Sequence, residues 1–295
     1  MAEKKKFLDT NLKNKSKTVV EKIQFVNFEG NSLPLPTEIE ISESGVCNRK
    51  CSFCPRSDPS YEDVKEFISN SLHEKLCLEL KELSYKGTIR YSGFVEPLLD
   101  KNIFNLIKMT RLHIPESNIE IVTNGDPLNL ERLKKLFTSG LNRLLISAYD
   151  GKEETQKLEN LCKEAKLKDE QYLIRHRYLS EDQDFGITLS NRSGLMENAE
   201  YKIESLKSPL KNPCFIPSYT FFLDYQGDVL MCPHDWGKKL ILGNLKNQSF
   251  KEIWFSKKSI KVRKMLNNSN RNFSPCNICD VDGTLMGKKN STYFS

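Results

Sequence analysis

The chain has 295 residues, of which 38% are hydrophobic and 28% charged, so it can form one large domain, or one domain with an appendage, around a sizeable core. It holds no apolar run of about 18 residues, which excludes a transmembrane helix, and its lysine-rich start lacks the apolar segment of a secretory signal. A formal net charge of +6 permits phosphorylated or nucleic-acid partners without favouring them, and we expect a cytoplasmic protein that does not bind membranes.

The nine cysteines are the most informative residues of the chain. In a long chain with an odd number of cysteines and a reducing environment, disulfides are a poor explanation for so many thiols. Ligation of a metal ion or an iron–sulfur cluster explains them better. Three of them, residues 47, 51 and 54, lie within eight positions. Four more, residues 214, 232, 276 and 279, lie in the C-terminal part of the chain, and residues 77 and 162 are isolated in sequence.

Residues 1–36 form a polar lead-in, in which the lysines up to Lys17 predict a solvated, frayed tail. From Thr37 onward, short β-branched or apolar runs alternate with segments of helical periodicity. The predicted strands are Thr37–Ser42, Thr88–Tyr91, Ile119–Thr123, Leu141–Ser147, Tyr172–His176 and Gly186–Leu189. The predicted helices are Val64–Leu83, 101–112, Leu128–Phe137 and 153–167. This alternation predicts an α/β fold with a parallel sheet, open or closed into a barrel, over residues 37–200.

In such a sheet the carboxyl ends of the strands meet at one edge, where the active site of a barrel lies. Polar or reactive residues follow every predicted strand at this point. They are Cys47–Cys54, the segment GFVEP at 93–97, Asn124–Gly125, Ser147 and Asp150, Arg175 and Arg177, and Asn191–Gly194. We therefore expect these six groups to lie close together in the folded chain.

A second, smaller module is predicted over residues 208–288, where the alternation of strands and helices stops. Two strand-like segments, Thr220–Leu223 and Val229–Met231, flank Gln226–Gly227 and predict a hairpin, and a helix follows over Phe250–Leu266. This module has enough cysteines to hold a complete iron–sulfur cluster or a structural zinc ion. They are Cys214, Cys232, Cys276 and Cys279.

The stretch CNRKCSFCP at 47–55 places three cysteines, Cys47, Cys51 and Cys54, in one short loop. Three thiolates can hold three corners of a cubane iron–sulfur cluster, which leaves the fourth iron without a protein ligand. An open iron can bind a substrate or cofactor directly, whereas a cluster with four protein ligands can only pass electrons. A zinc site that recruits a distant fourth ligand is the alternative.

Several segments together resemble the radical S-adenosylmethionine enzymes. They are CxxxCxxC with Phe53 before its last cysteine, GFVEP at 93–97, TNG at 123–125 and LLISAYDG at 144–151, and the resemblance spans roughly residues 37–195. Val95 stands where the family often has a second glycine. The resemblance implies a partial (β/α)6 barrel, a [4Fe-4S] cluster with an open iron and bound S-adenosylmethionine. It also implies reductive cleavage of that cofactor to a 5′-deoxyadenosyl radical, which abstracts hydrogen from the substrate.

The same resemblance implies which residues contact S-adenosylmethionine. Glu96 would receive the amino group of the methionine moiety, and Ser147 and Arg175 are candidates for ribose or carboxylate contacts. The candidates for this cofactor site are Phe53, Gly93, Glu96, Asn124, Ser147 and Arg175. Ordinary capping, turn or strand-end roles remain open for Glu96, Asn124, Ser147 and Arg175.

The C-terminal cysteines, with DYQGDVLMCPHDW and EIWFS between them, resemble the SPASM domains of the same family in their shortened twitch form. A full SPASM domain usually has more cysteines and two clusters. The resemblance therefore implies one auxiliary [4Fe-4S] cluster here, and a structural zinc ribbon is the alternative.

An auxiliary cluster near the substrate can accept the electron left on a substrate radical. We therefore expect a two-electron oxidation of a small carbohydrate- or cyclitol-like molecule, with a reductant such as flavodoxin or ferredoxin starting each turnover. The short lead-in disfavours a leader-binding domain for peptides, but a peptide maturase or an epimerase remains an alternative. Cys162, the thiol that an epimerase could use as a hydrogen donor, falls in a predicted helix. A non-catalytic iron–sulfur or zinc protein that binds nucleic acid is the alternative of another class.

Overall fold

The computed structural model describes residues 10–180, 183, 186–187 and 189–294 of the chain. In chain order, the elements of the first part are α1 (Thr10–Glu21), β1 (Phe25–Phe28), β2 (Asn31–Pro34), β3 (Glu38–Ser42), β4 (Ser44–Gly45), β5 (Val64–Phe67), α2 (Asn70–Glu82), β6 (Thr88–Tyr91), α3 (Ile103–His113), β7 (Asn118–Thr123), α4 (Leu130–Thr138), β8 (Arg143–Ala148), α5 (Lys152–Glu164) and β9 (Tyr172–His176). The later elements are β10 (Thr220–Asp224), β11 (Asp228–Leu230), β12 (Ile241–Asn244), α6 (Phe250–Trp254), α7 (Lys257–Asn267) and α8 (Lys288–Ser291).

One eight-stranded sheet organises the fold, with the strand order β12-β11-β10-β3-β6-β7-β8-β9. The six strands from β10 to β9 run parallel, and β11 and β12 extend the sheet in antiparallel pairing. The predicted hairpin is present as β10 and β11. The predicted α/β fold with a mostly parallel sheet is confirmed.

The sixth parallel strand comes from a part of the chain that the sequence analysis assigned elsewhere. Of the predicted strand Gly186–Leu189, Thr188 lies outside the described residues, and the described Gly186, Ile187 and Leu189 belong to no strand. Instead, β10 of the predicted second module pairs in parallel with β3, with Thr220 opposite Glu38. The prediction of strand six was wrong because alternation along the chain cannot reveal a partner so distant in sequence. The division into residues 1–36, 37–200 and 208–288 remains a prediction.

The two faces of the sheet differ sharply in polarity. Because side chains alternate along a strand, Ile39 and Ile41 of β3 pack under the helices, while Glu38, Glu40 and Ser42 point to the opposite side. Parallel pairing puts β6 and β7 in matching register, so their polar side chains join those of β3. We call this side the polar face: it carries Glu38, Glu40, Ser42, Arg90, Ser92 and Glu120.

A buried ionic network occupies one end of the polar face. Arg90 Nη1 lies 2.5 Å from Glu38 Oε2, and its Nη2 lies 2.7 Å from Glu120 Oε2. Lys15 of α1 adds a second cation, since its Nζ lies 2.8 Å from Glu38 Oε1. Burial alone would raise the pKa of Glu38, but Arg90 and Lys15 outweigh it and hold that pKa below its ordinary value. Helix α1 therefore closes this end of the polar face.

The described part of the lead-in is ordered rather than frayed. Leu35 is fully buried, and Phe28 of β1 stacks on Phe255 with ring centroids 4.8 Å apart. Trp254 donates a hydrogen bond of 2.9 Å from Nε1 to the carbonyl oxygen of Pro34. The expectation of a frayed segment is thus wrong for residues 10–36, because Phe28 packs against Phe255, directly after α6, and Pro34 accepts the hydrogen bond from Trp254 of α6. Residues 1–9 lie outside the described residues.

The predicted helix Val64–Leu83 begins later than expected. Its first residues form β5, which pairs with β4, and Ser69 then starts α2 by accepting a 3.2 Å hydrogen bond from the backbone N–H of Leu72. A serine at this position favours a helix start because its side chain satisfies a backbone donor that the helix leaves unpaired. None of the helices in the described part of the chain is both long and apolar enough to cross a bilayer.

Gly93 allows the Phe222 ring of β10 to pack closely against the chain that follows β6. Its φ is +105°, and a Cβ there would lie 2.9 Å from the ring of Phe222 and 3.2 Å from the Cβ of Ser42. Gly151 has a similar φ of +113°, but a Cβ there would meet no atom within 4 Å. Both positions have a backbone conformation that disfavours other residues, but only Gly93 is also crowded. Substitutions at the two glycines therefore distinguish the effect of steric crowding from that of backbone strain.

We expect Gly93→Ala to destabilise the protein more than Gly151→Ala, by about 1–3 kcal/mol, because only the first substitution also overpacks the core. Urea unfolding of the two variants, purified in parallel, measures this difference. Equal midpoints would show that the contact with Phe222 does not constrain residue 93.

Candidate active site

The loop with the first three cysteines lies at the carboxyl edge of the parallel sheet, as predicted. Cys47, Cys51 and Cys54 are free thiols of intermediate exposure. The backbone N–H of Arg49 points to the Cys47 sulfur, and that of Arg56 points to the Cys54 sulfur. Burial and the nearby sulfurs of Cys54 and Cys47 raise the pKa of Cys51 to about 11, and a bound cation would favour its thiolate form.

Arg49 anchors this cysteine loop to two other strand ends. Its guanidinium binds Asp126, after β7, with Nε–Oδ2 and Nη2–Oδ1 distances of 2.7 and 2.5 Å. It also binds Asp150, after β8, through contacts of 3.0 and 2.9 Å, and Glu154 at 3.1 Å. Arg49 was not among the predicted site residues, although the acids in TNGD and AYDG were visible signals of a basic partner.

The predicted residues Glu96 and Asn124 lie beside this loop. The Glu96 carboxylate is buried and accepts hydrogen bonds from the Leu98 N–H (3.0 Å), the Thr123 hydroxyl (2.7 Å) and the Asn124 N–H (2.7 Å). Burial raises its pKa, and these donors oppose the rise. The Leu98 and Thr123 donors both bind Oε1, whereas Oε2 accepts only from Asn124. Oε2 can therefore accept a further hydrogen bond. The Asn124 amide donates to Asn48 Oδ1 at 2.8 Å and lies 3.9 Å from Cys47 Sγ.

The predicted residues Ser147, Arg175 and Phe53 form a second group around Tyr149. Arg175 Nη2 donates a 2.7 Å hydrogen bond to Ser147 Oγ, which in turn contacts the buried Tyr149 hydroxyl. The rings of Phe53 and Tyr149 have centroids 5.5 Å apart. Gly93 instead packs against Phe222, as described above. The roles of all six predicted residues toward a cofactor remain predictions.

The four C-terminal cysteines line one enclosed cavity. Each is buried, and the cavity wall also includes Ser193, Met231 and the buried Arg271. Backbone N–H groups point to three of the sulfurs, namely Ile216 to Cys214, His234 to Cys232 and Val281 to Cys279. Such N–H···S contacts stabilise thiolates and are among the factors that tune iron–sulfur clusters.

The donor set of this cavity fits an iron–sulfur cluster. Within the described residues, no three His, Cys, Asp or Glu side chains come close enough together to hold a single metal ion. A cubane cluster spaces its four thiolate ligands more widely than one ion does. That Cys214, Cys232, Cys276 and Cys279 hold one cluster, and Cys47, Cys51 and Cys54 three corners of another, stays a prediction.

A short loop, Ser190–Gly194, connects the two cysteine sites. The Asn191 N–H donates to Asp280 Oδ2 at 2.8 Å, and the Ser193 hydroxyl bonds the sulfur of Cys279. Between them, the Arg192 side chain lies near Cys54, Tyr149, Asp280 and Glu40, and burial among these groups lowers its pKa. From the sequence, Arg192 was predicted only as one of the polar residues after a strand, because its contacts arise from tertiary structure.

Comparison with known proteins agrees with this geometry. A model of the radical SAM superfamily matches residues 41–185, and a model of an iron–sulfur cluster-binding domain, SPASM, matches residues 214–280. The S-adenosyl-L-methionine-dependent 2-deoxy-scyllo-inosamine dehydrogenase of Niallia circulans is 29% identical over 243 residues, which span 82% of this chain and 92% of the relative.

Two solved structures are also similar. BtrN in complex with AdoMet and 2-DOIA has a TM-score of 0.71 and 28% identity, over 86% of this chain and 97% of that one. The protein anSMEcpe with bound AdoMet has a TM-score of 0.53 and 16% identity, over 87% of this chain and 95% of that one, and shares the fold.

The chain therefore belongs to the radical S-adenosylmethionine superfamily and carries a C-terminal auxiliary iron–sulfur cluster domain. It is an oxidoreductase-type enzyme, and its cofactors are a [4Fe-4S] cluster, S-adenosylmethionine and an auxiliary cluster. The family, the enzyme class and the set of cofactors predicted from the sequence are confirmed.

Arg49→Gln should loosen the first cysteine loop, because Asp126, Asp150 and Glu154 then face one another without their shared cation. We expect a loss of about 1–2 kcal/mol in the free energy of unfolding, together with weaker retention of iron at the first site. Chelator challenge and urea unfolding measure both effects. Lys50→Gln, at an exposed neighbouring position, is the matched control, and equal behaviour of the two variants would contradict the anchoring role.

Proposed function

We propose that this enzyme oxidises one hydroxyl group of a small cyclitol-like molecule by two electrons. The similarity to the 2-deoxy-scyllo-inosamine dehydrogenase, which extends over most of both chains, supports this substrate class. When bound, the first cluster and S-adenosylmethionine together supply the abstraction of a hydrogen atom from carbon. Cys47, Cys51 and Cys54 would hold that cluster, and we propose Phe53, Gly93, Glu96, Asn124, Ser147 and Arg175 as the surroundings of the cofactor.

The position of Arg192 is the observation that carries the proposal. This single side chain lies near Cys54 of the first site, near Asp280 beside the second site, and near Glu40 on the polar face. A molecule bound beside Arg192 would therefore lie near both cysteine sites. A two-electron oxidation requires a substrate close to both cysteine sites, because one site supplies hydrogen abstraction and the other accepts the remaining electron.

The electron count is consistent with the two kinds of cysteine site. Conversion of a CH–OH group to a ketone removes one hydrogen atom, one proton and one electron. The cofactor bound at the three-cysteine site would supply the acceptor of the hydrogen atom, and a polar group of the polar face would accept the proton. Cys214, Cys232, Cys276 and Cys279 line the cavity that would hold the auxiliary cluster, and that cluster, when bound, would supply the acceptor for the remaining electron.

Glu40 gives the polar face a group that suits an amine-bearing cyclitol. One oxygen, Oε1, accepts a 2.7 Å hydrogen bond from the Ser92 hydroxyl, and the side chain remains only partly buried. Burial and the neighbouring Glu38 carboxylate raise the pKa of Glu40, while Lys15 and Arg90 oppose the rise. A substrate ammonium group would supply a further positive partner and favour the ionised carboxylate.

The proposal is tested by incubating anaerobically reconstituted enzyme with S-adenosylmethionine, a reductant and 2-deoxy-scyllo-inosamine. We expect 5′-deoxyadenosine and an oxidised cyclitol in equal amounts, measured by mass spectrometry. Release of 5′-deoxyadenosine with a peptide, and none with any cyclitol or sugar, would favour the peptide-maturase alternative and overturn the proposal.

Cysteine substitutions separate the two sites. Cys51→Ala should abolish 5′-deoxyadenosine formation, whereas Cys276→Ala should retain it but lose the oxidised product, and each variant should hold about four irons fewer than the parent's eight. Cys162→Ala is the control, since Cys162 is fully buried in α5 and we expect full activity. Loss of activity in that control would revive the epimerase alternative.

Glu40→Gln should weaken binding of an amine-bearing cyclitol, because it removes the negative charge that faces the ammonium group. We expect KM to rise about tenfold or more, with a smaller effect on an analogue in which hydroxyl replaces the amine. Glu116→Gln, at an exposed ion pair with Lys86, is the control. An equal rise for both substrates would contradict recognition of the amine.

We also infer the cellular compartment and the reductant of the enzyme. None of the nine cysteines forms a disulfide, and cluster ligation by seven of them favours a reducing compartment, so we infer the cytoplasm. The first cluster also requires a one-electron reductant such as flavodoxin or ferredoxin.

A further inference from the structure

Helix α7 has one face against the auxiliary cysteine site. Its Val262 and Leu266 pack in the same apolar cluster as Cys214, Cys232 and Cys276. The Leu266 carbonyl oxygen accepts a 3.1 Å hydrogen bond from the backbone N–H of Cys214. The opposite face of α7 is thus separated from the cysteine cavity by little more than the width of one helix, about 10 Å.

That opposite face is exposed and strongly basic. Residues 257–267 contain no acidic residue, and their four lysines, Lys257, Lys258, Lys261 and Lys264, are all exposed. Residues 246–295 carry ten Lys and Arg against three Asp and Glu, so this segment alone exceeds the net charge of +6 of the whole chain. Much of the excess positive charge therefore belongs to the segment that contains α7.

A groove with an apolar floor lies within this basic surface. It has a volume of about 470 Å³, and Ile260 and Met265 provide apolar side chains between Lys257, Lys261 and Lys264. Its far end is formed by Asn268 and Asn270, which follow Leu266 directly. An apolar centre with a charged rim is the usual composition of a protein–protein contact.

We propose that the exposed face of α7 is the docking surface for an acidic one-electron carrier protein, of the flavin or iron–sulfur class, that discharges the auxiliary cluster. This rests on the proposed function, in which each turnover leaves one electron on that cluster. The oxidised carrier takes that electron and is reduced by one, so the cluster regains its oxidised state and no atom is transferred. An acidic surface on the carrier complements the lysines, and such pairing mainly accelerates association.

The chemistry of the groove favours a redox protein over a nucleic acid. A nucleic acid would need the lysines but not the apolar floor, and it would gain nothing from the short path to the cysteine cavity. An electron carrier would use the lysines, the apolar floor and the short path to the cysteine cavity.

Binding to the intact holoenzyme tests the proposal without any substrate. Oxidised flavodoxin with an acidic surface is titrated into the enzyme anaerobically at low salt, and the affinity is measured by calorimetry. We expect Lys257→Glu, Lys261→Glu and Lys264→Glu together to weaken binding at least tenfold, with a smaller salt dependence than in the parent. The matched control reverses three exposed lysines outside α7, namely Lys101, Lys108 and Lys134 in and around α3 and α4, and should bind as the parent does.

The outcomes are distinguishable. The corresponding triple Lys→Gln variant removes the charge without adding acids to the helix, and it should also weaken binding, which guards against a folding defect in the first variant. Equal affinities for the α7 and control variants would overturn the proposal, as would α7-dependent binding of a short DNA duplex without binding of the carrier. Carrier binding that depends on α7 while no cyclitol is oxidised would sustain the docking surface and refute the proposed substrate instead.

Discussion

Parallel pairing of six strands gathers their carboxyl ends at one edge of the sheet, and the chemistry of the chain depends on this constraint. The cysteine loop alone has no regular structure to hold three sulfurs in place. Arg49 reaches from it to Asp126 and Asp150, which follow two different strands. The ends of β7 and β8 thus each provide one carboxylate that binds the cysteine loop, and the pairing of these strands in the sheet fixes the distance between the two carboxylates.

The polar face is the second unusual property of this sheet, since parallel sheets are commonly apolar on both faces. A carboxylate buried without a partner would cost several kcal/mol, and Arg90 and Lys15 offset this cost for Glu38. The network stiffens the end of the face that is remote from the cysteines. Toward the cysteines, Glu40 and Arg192 remain partly exposed, so the face is polar and accessible where a hydroxylated molecule would bind.

Local patterns were sufficient to predict much of this architecture. Thr88–Tyr91 and Tyr172–His176 form strands with the predicted bounds, because β-branched and aromatic residues between turns favour extended chain. The cysteine spacing and the segments after each strand identified the superfamily. These signals lie within a few residues of one another, which is the range over which periodicity and motifs are informative.

The features that escaped prediction all depend on tertiary contacts. Arg49 looked like any loop arginine until the fold brought Asp126 and Asp150 to it, and Arg192 gained its neighbours in the same way. The lead-in lacked a strong apolar period, yet Phe28 and Leu35 suffice to attach it once α6 provides a partner. The start of α2 was misplaced because apolar residues continue across Ser69 without a change of pattern.

The pairing of β10 with β3 affects both how the chain folds and how the auxiliary domain is held. Thr37 bonds the carbonyl oxygen of Tyr219 across 182 residues, so β3 stays an edge strand until most of the chain has been synthesised. Contacts of such long range slow folding. They also make the auxiliary domain a structural part of the barrel, so a chain truncated after residue 200 would expose the hydrogen-bonding groups of β3 to other chains. Loss of the auxiliary site by deletion would thus endanger solubility before it affected electron transfer.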